Sequence, residues 1–185
     1  MKKEQIDLIV ISETSHWREQ FYMKLEREGH LRIRCGNAAS ELPIHFQVDC
    51  QNQFFLSLIS MVQQEMFEKD GILRAEHPHQ PERSLLFSGT VGKERIIRSF
   101  HFFGDSENYM GSGQYPTVRT VEKIIAQARS HADRLTDDIR SWIHSGTRPP
   151  SLPESALVCR SQRLFPDFQA EAKGCIRLFR RSSRF

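Results

Sequence analysis

The longest regular pattern in the chain runs from Pro116 to Gly146 and predicts one amphipathic helix. Its apolar residues recur at alternating steps of three and four, which places them on a single helical stripe. That stripe comprises Val118, Val121, Ile125, Ala128, Ala132, Leu135, Ile139 and Trp142. Pro116 suits the first helical turn, and Gly146 suits the position just beyond the last turn. We therefore predict a helix over about residues 117–145.

Shorter patterns before this helix predict strands. An almost continuous apolar run is typical of a buried strand, whereas alternation of apolar and polar residues indicates a strand with one covered face. The last two strands are close enough to form a hairpin. The predicted strands cover residues 6–12, 31–35, 44–48, 85–90 and 94–103.

Two further segments show spacing that suits a helix. Trp17, Phe21 and Leu25 follow one another at steps of four residues, and Gly29 suits the end of such a helix. Residues 52–70 carry apolar side chains around most of a helical circumference, which is typical of a helix buried between layers.

Together these elements predict an α+β fold with a mixed sheet of about five strands covered by helices. Strands that pair in a sheet must bury their apolar faces, and three amphipathic helices provide the cover. The long helix is the largest single element of this arrangement.

The predicted strand–helix–strand unit over residues 6–35 is similar to the opening of response-regulator receiver domains. Those domains carry an acidic pair directly after the first strand. This chain has Ser12-Glu13-Thr14 at that position, and the similarity covers about a sixth of its length. We therefore assign no family from it.

The length of 185 residues, of which 38% are hydrophobic, suits one domain with an appended segment. Residues 1–147 are predicted to form the α+β core domain, including the long helix. Three prolines in residues 148–156 indicate a linker. Residues 157–185 form a basic C-terminal segment without a clear hydrophobic period.

The apolar runs and the cysteines both bear on cellular location. No segment approaches the 18 or so consecutive apolar residues of a membrane span. The four cysteines form no CxxC pair, and we expect them to remain thiols in a reducing compartment. The sequence therefore predicts a cytoplasmic protein that makes no membrane contact. The cysteines are Cys35, Cys50, Cys159 and Cys175.

The basic residues concentrate at the end of the chain. Residues 159–185 hold seven Lys or Arg and two acidic residues, a net charge of +5, against −2 for the rest. Arginine binds phosphate through its forked donors, and neighbouring aromatic rings can stack on unpaired bases. The candidate nucleic-acid contacts are Arg160, Arg163, Lys173, Arg177, Arg180, Arg181 and Arg184.

One short segment has the composition of a metal site. His77, His79 and Glu82 lie within six residues, and imidazole and carboxylate are suitable ligands for zinc. An exposed polar loop is the alternative interpretation. Carboxylates at predicted strand ends, which a metal-dependent hydrolase would need, are Asp49, Glu94 and Asp105.

No cofactor is predicted. Gly111-Ser112-Gly113 precedes the long helix, where anions can bind, but it matches neither a dinucleotide-binding fingerprint nor a P-loop. A flexible connection is the simpler interpretation of these glycines.

These observations favour a non-enzymatic interaction or adaptor protein. The apolar stripe of the long helix and the Arg/Phe-rich C-terminal segment would bind a protein partner or a second copy. Within one chain the same stripe could instead cover the sheet. A nucleic-acid-associated protein acting through the basic segment is the first alternative, and a metal-dependent hydrolase or nuclease is the second.

Overall fold

The computed structural model describes residues 4–15, 18–35, 44–68, 71–72, 80–152, 154 and 156–159. The strands are β1 (Glu4–Ser15), β2 (Arg18–Glu26), β3 (Leu31–Cys35), β4 (Ile44–Val48), β5 (Gly71–Ile72), β6 (Glu82–Val91), β7 (Glu94–Phe103) and β8 (Leu157–Cys159). The helices are α1 (Asn52–Ile59), α2 (Glu65–Glu68) and α3 (Tyr115–Ser145), and a 3₁₀ helix spans Ser106–Tyr109. The predicted α+β class is confirmed.

The described strands form one sheet in the order β5-β7-β6-β1-β2-β3-β4-β8. The six longer strands pair antiparallel throughout, whereas the two-residue β5 runs parallel to β7. β1 lies between β2 and β6, so the first strand of the chain occupies the interior of the sheet. The sheet is therefore mixed, as predicted, and wider than five strands.

The predicted helix over Trp17, Phe21 and Leu25 is wrong, because Arg18–Glu26 forms β2, while Trp17 lies outside the described residues. β2 pairs with β1 along its whole length. A spacing of four residues keeps side chains on one face of a strand as well as of a helix. Met23 distinguishes the two structures, since it is buried on the same strand face as Phe21 and Leu25. The strand–helix–strand unit is thus a hairpin followed by β3.

The predicted helix over residues 52–70 is also wrong in its extent. α1 ends at Ile59, and the chain turns before the four-residue α2. The amide of Met61 donates to the Leu58 carbonyl, an i to i−3 bond that tightens the end of α1. The apolar residues of this segment point in many directions because α1 and α2 are two short helices that bury different faces. Leu56 remains exposed.

The long helix is confirmed. α3 begins at Tyr115, two residues before the predicted start, and ends at Ser145 as predicted. Its 31 residues give a rod about 46 Å long at about 1.5 Å per residue. Pro116 lies in the first turn, and Gly146 follows the last turn with a left-handed φ of 70°. The Gly146 amide donates to the Trp142 carbonyl at 2.9 Å, which satisfies one of the free carbonyls at the helix end.

A single core lies between α3 and one face of the sheet. The buried side chains of β1, β2, β3, β4, β6 and β7 belong to the same hydrophobic cluster as the stripe of α3. α3 passes over successive strands, because Arg129 lies above the Phe21 ring of β2 and Thr136 contacts Cys35 of β3. The helix therefore runs across the strands and closes one face of the sheet.

The described part of the predicted linker packs against this domain. Leu152 and Ala156 are buried in the core, and the following residues, Leu157–Cys159, pair with β4 as an edge strand. The C-terminal basic segment beyond residue 159 lies outside the described residues.

Candidate binding groove along α3

An open groove runs beside α3 where the helix passes the ends of β1 and β6. We call it the α3 groove, and its volume is about 820 Å³. Its walls come from two strands, from the loop after β7 and from the solvent side of the helix. The lining residues are Glu13, Arg83, Asp105, Glu122, Lys123, Ile125, Ala126, Arg129, Ser130, Asp133, Arg134 and Asp137.

Arg83 is the centre of the charged network in the groove. It stands on β6 in register with Glu13 of β1, and its Nε lies 3.2 Å from Glu13 Oε1. Its Nη1 donates to Asp105 Oδ1 at 2.9 Å and to Glu122 Oε1 at 3.2 Å. The same nitrogen lies 3.3 Å from the Gly104 carbonyl. One guanidinium thus joins the sheet, the loop after β7 and α3.

Glu13 links this arginine to a second one on the helix. Arg129 Nη1 donates to Glu13 Oε2 at 3.0 Å, so the two oxygens of one carboxylate face two different guanidinium groups. Arg129 also donates from Nε to Asp133 at 3.3 Å, and its guanidinium carbon lies 4.9 Å from the centre of the Phe21 ring. Such shared contacts hold both arginines in fixed orientations.

Local backbone geometry places Glu13 in this network. The pairing of β1 with β2 shifts register between Glu13 and Thr14, which marks a β-bulge. A bulge bends its strand and redirects the neighbouring side chains. Glu13 follows Ile9 and Ile11 on the helix-covered face, so its carboxylate points along the edge of the core towards α3.

Acidic side chains outnumber basic ones among the residues that line the groove, by five to four. Four carboxylates there share two guanidinium groups, and two of the carboxylates are largely exposed, Asp105 at 67% and Asp133 at 56%. Their free oxygens can accept further hydrogen bonds from cationic side chains. The four carboxylates belong to Glu13, Asp105, Glu122 and Asp133.

The apolar stripe that sequence analysis offered for partner binding lies mostly in the core of this chain. Seven of its eight residues are buried against the sheet. They therefore cover the sheet of their own chain, which was the alternative to partner binding. Trp142, the eighth, is half-buried and packs on the core from the end of the helix, with Arg148 above its ring. The seven buried residues are Val118, Val121, Ile125, Ala128, Ala132, Leu135 and Ile139.

The other predicted site residues fall largely outside the described part of the chain. This holds for His77 and His79 of the candidate metal segment. Glu82 is described, and its carboxylate lies 3.2 Å from His101 Nδ1. All candidate nucleic-acid contacts are undescribed, namely Arg160, Arg163, Lys173, Arg177, Arg180, Arg181 and Arg184.

Sequence reasoning found only one member of the groove network, Asp105, which it noted as a strand-end carboxylate. Glu13 and Arg83 are 70 positions apart in sequence, and their contact depends on β1 pairing with β6. Arg129 lies on the predicted long helix, but nothing in the sequence gives its partner. The available signal was Glu13, an acidic residue directly after the predicted strand over residues 6–12.

The described residues carry neither a membrane-spanning helix nor a metal-binding group. None of the described helices combines the length and apolar composition needed to cross a bilayer. Within the described ranges, no three His, Cys, Asp or Glu side chains converge as a metal-binding group. No protein-family model matches this chain, and no curated protein is significantly similar to it in sequence.

Proposed function

We propose that this chain is an interaction protein that binds a protein partner, or a second copy of itself, along the solvent side of α3. The observation that carries the proposal is the α3 groove, in which shared ion pairs fix Arg83 and Arg129 before any partner arrives. Side chains that are already oriented lose less conformational entropy on binding. The buried stripe of α3 stabilises the fold and leaves its charged side for contacts.

The charge of the groove indicates the chemistry of the partner. Asp105 and Asp133 retain exposed carboxylate oxygens on either side of the two arginines. Lysine or arginine side chains of a partner would complement these groups, and such pairs speed association at low ionic strength. We infer a partner with a basic segment.

Two features of the sequence complete the proposal. The Arg/Phe-rich segment over residues 157–185 would supply a second contact, as its composition indicates. We also place the chain in the cytoplasm. Cys35 and Cys50 are free thiols, which supports a reducing compartment.

Charge reversal in the groove tests the proposal. Asp105→Lys with Asp133→Lys should reduce self-association, measured by light scattering, and the recovery of partners, measured by quantitative mass spectrometry after cross-linking. Glu94→Lys is the matched control, because Glu94 is an exposed acid in the β6–β7 hairpin, outside the groove. Circular dichroism should show that all variants keep the fold.

Two results would count against a binding role for the groove. One is that the protein is monomeric and that the wild type, the double variant and Glu94→Lys all cross-link to the same partners. The other is a set of partners lost only when residues 160–185 are deleted, which would assign binding to the C-terminal segment alone.

A further inference from the structure

On the sheet face opposite α3, a serine, a histidine and a glutamate form a hydrogen-bonded chain. Ser99 Oγ lies 3.0 Å from His101 Nε2, and His101 Nδ1 lies 3.2 Å from Glu82 Oε1. Ser99 and His101 are two residues apart on β7 and therefore share a face. Glu82 begins the neighbouring strand β6, and its exposed fraction of 44% exceeds the 20% of His101.

The direction of each hydrogen bond follows from the chemistry of the groups. An ionised carboxylate can only accept, so His101 donates its Nδ1–H to Glu82. The hydrogen bond from His101 lowers the pKa of Glu82, which keeps this carboxylate ionised at neutral pH. Nε2 of the neutral imidazole then carries a lone pair and accepts the hydrogen of the Ser99 hydroxyl. Serine, base and orienting acid thus stand in the order that activates a hydroxyl nucleophile.

Apolar side chains border the serine. Leu86 of β6 is its direct partner in the register with β7. Ile97 stands two residues before Ser99 on the same face and is 48% exposed. An apolar acyl group placed beside Ser99 would cover part of this surface.

We propose that Ser99, His101 and Glu82 form an esterase site that acts on esters with a short apolar acyl group. Ser99 Oγ bonds to the carbonyl carbon while its proton passes to His101 Nε2. His101 returns that proton to the leaving alcohol as the ester C–O bond breaks, which leaves an acyl group on Ser99. A water molecule, deprotonated by His101, then releases the carboxylic acid and restores the serine. Glu82 orients the imidazole and acts as a positioning residue.

The test uses the full-length protein with p-nitrophenyl butyrate and with a fluorophosphonate probe. Peptide mapping should find the phosphonate on Ser99, and Ser99→Ala should abolish both labelling and ester hydrolysis above the solvent rate. His101→Gln should lower the rate by about 100-fold or more, the usual contribution of a general base. Ser84→Ala is the matched control, since Ser84 lies opposite His101 but bonds to Ser12, and it should keep the activity.

A structural role for Glu82 is separated from a positioning role by the kinetic parameters. Glu82→Gln should lower kcat and leave KM unchanged, because the imidazole loses the carboxylate acceptor that orients it, and Glu82→Asp should restore part of kcat. The proposal is overturned if the probe labels a different serine, or if Ser99→Ala or a folded His101→Gln hydrolyses the ester as fast as the wild type. The site lies on the sheet face opposite the α3 groove, and its test measures ester hydrolysis rather than association, so either outcome leaves the proposed binding function unaffected.

Discussion

Glu13 of β1 and Arg83 of β6 stand directly opposite each other in the sheet, with Arg83 Nε 3.2 Å from Glu13 Oε1. Because Arg83 also contacts Asp105 and Glu122, it neutralises carboxylates from three separate parts of the chain. The loop after β7 and α3 are therefore joined electrostatically to the sheet at one side chain. Loss of this side chain should therefore remove three ion pairs at once.

Replacing Arg83 with methionine should lower the free energy of unfolding by about 1–3 kcal/mol. The substitution keeps a long apolar side chain but leaves half-buried carboxylates without their cationic partner, and such unpaired groups carry the desolvation cost. Urea denaturation of the wild type and variant measures the difference. Arg95→Ala is the control, because Arg95 is exposed on β7, and it should change stability by less than about 0.5 kcal/mol. If the wild type and Arg83→Met are equally stable, the ion-pair network around Arg83 contributes nothing to the free energy of unfolding.

The elements that sequence reasoning predicted correctly are those with a long or unambiguous period. α3 extends over eight turns, so its stripe of apolar residues excludes a strand. Phe21 and Leu25 fit both the helical and the strand period, which is why the sequence predicts a helix over β2. The adjacent aromatic residues Phe21 and Tyr22 are the feature of β2 that favours a strand. The short α1 and α2 carry too few residues for a period to show where the chain turns.

The α3 groove and the Ser99–His101–Glu82 chain could not be predicted in the same way. Both sites depend on which strands are neighbours in the sheet. The strand order is determined by how the faces of all the strands are buried together. Ser99 and His101 were visible as an alternating polar pair on a predicted strand. Their relation to Glu82 required the register between β6 and β7, which a hairpin of known turn length would have provided.

Gly89 is a glycine at which an added side chain would collide with the backbone of a neighbouring strand. A Cβ there would lie 2.0 Å from the Gln5 carbonyl oxygen and 2.8 Å from Ile6 Cα, both backbone atoms of β1. The backbone of β1 would have to shift beside its irregular pairing with β6. We expect Gly89→Ala to lower the free energy of unfolding by about 1–3 kcal/mol, as overpacking commonly does. Gly113→Ala, where the added Cβ meets nothing within 4 Å, should have little effect in the same thermal or urea experiment.

Acidification below neutral pH should destabilise the protein through His131. This imidazole stacks on Phe54 at 3.8 Å between ring centres and donates from Nε2 to Gln51 Oε1 at 2.8 Å. Burial, and then the Arg134 guanidinium, lower its pKa. The unfolded chain therefore binds the proton more readily, and stability falls as the pH drops through about 6.5 towards the folded-state pKa. His131→Gln should flatten the fall in unfolding free energy measured between pH 7.5 and 5.5.

His30 provides a control, because its effect on the change of unfolding free energy with pH is opposite in sign to that of His131. Its hydrogen bond to Asp49 raises its pKa, so its contribution to stability is complete below about pH 6.5 and is lost as the pH rises. His30→Gln should therefore make the fall on acidification steeper. Burial also lowers the pKa of His45, which acts in the same direction as His131 and remains in both variants. Parallel pH profiles for the two variants would contradict the assignment of the slope to His131.

Cys35 and Cys50 should differ sharply in their reaction with iodoacetamide. Cys50 is exposed, whereas Cys35 lies under α3 with the Thr136 hydroxyl 3.7 Å from its sulfur. Burial raises the pKa of Cys35, so the reactive thiolate is both scarce and covered. In a timed alkylation followed by peptide mapping, Cys35 should react at least about 100-fold more slowly than Cys50, since access requires α3 to open. Denaturing urea should make the two rates similar. Comparable rates in the native protein would show that α3 does not cover β3.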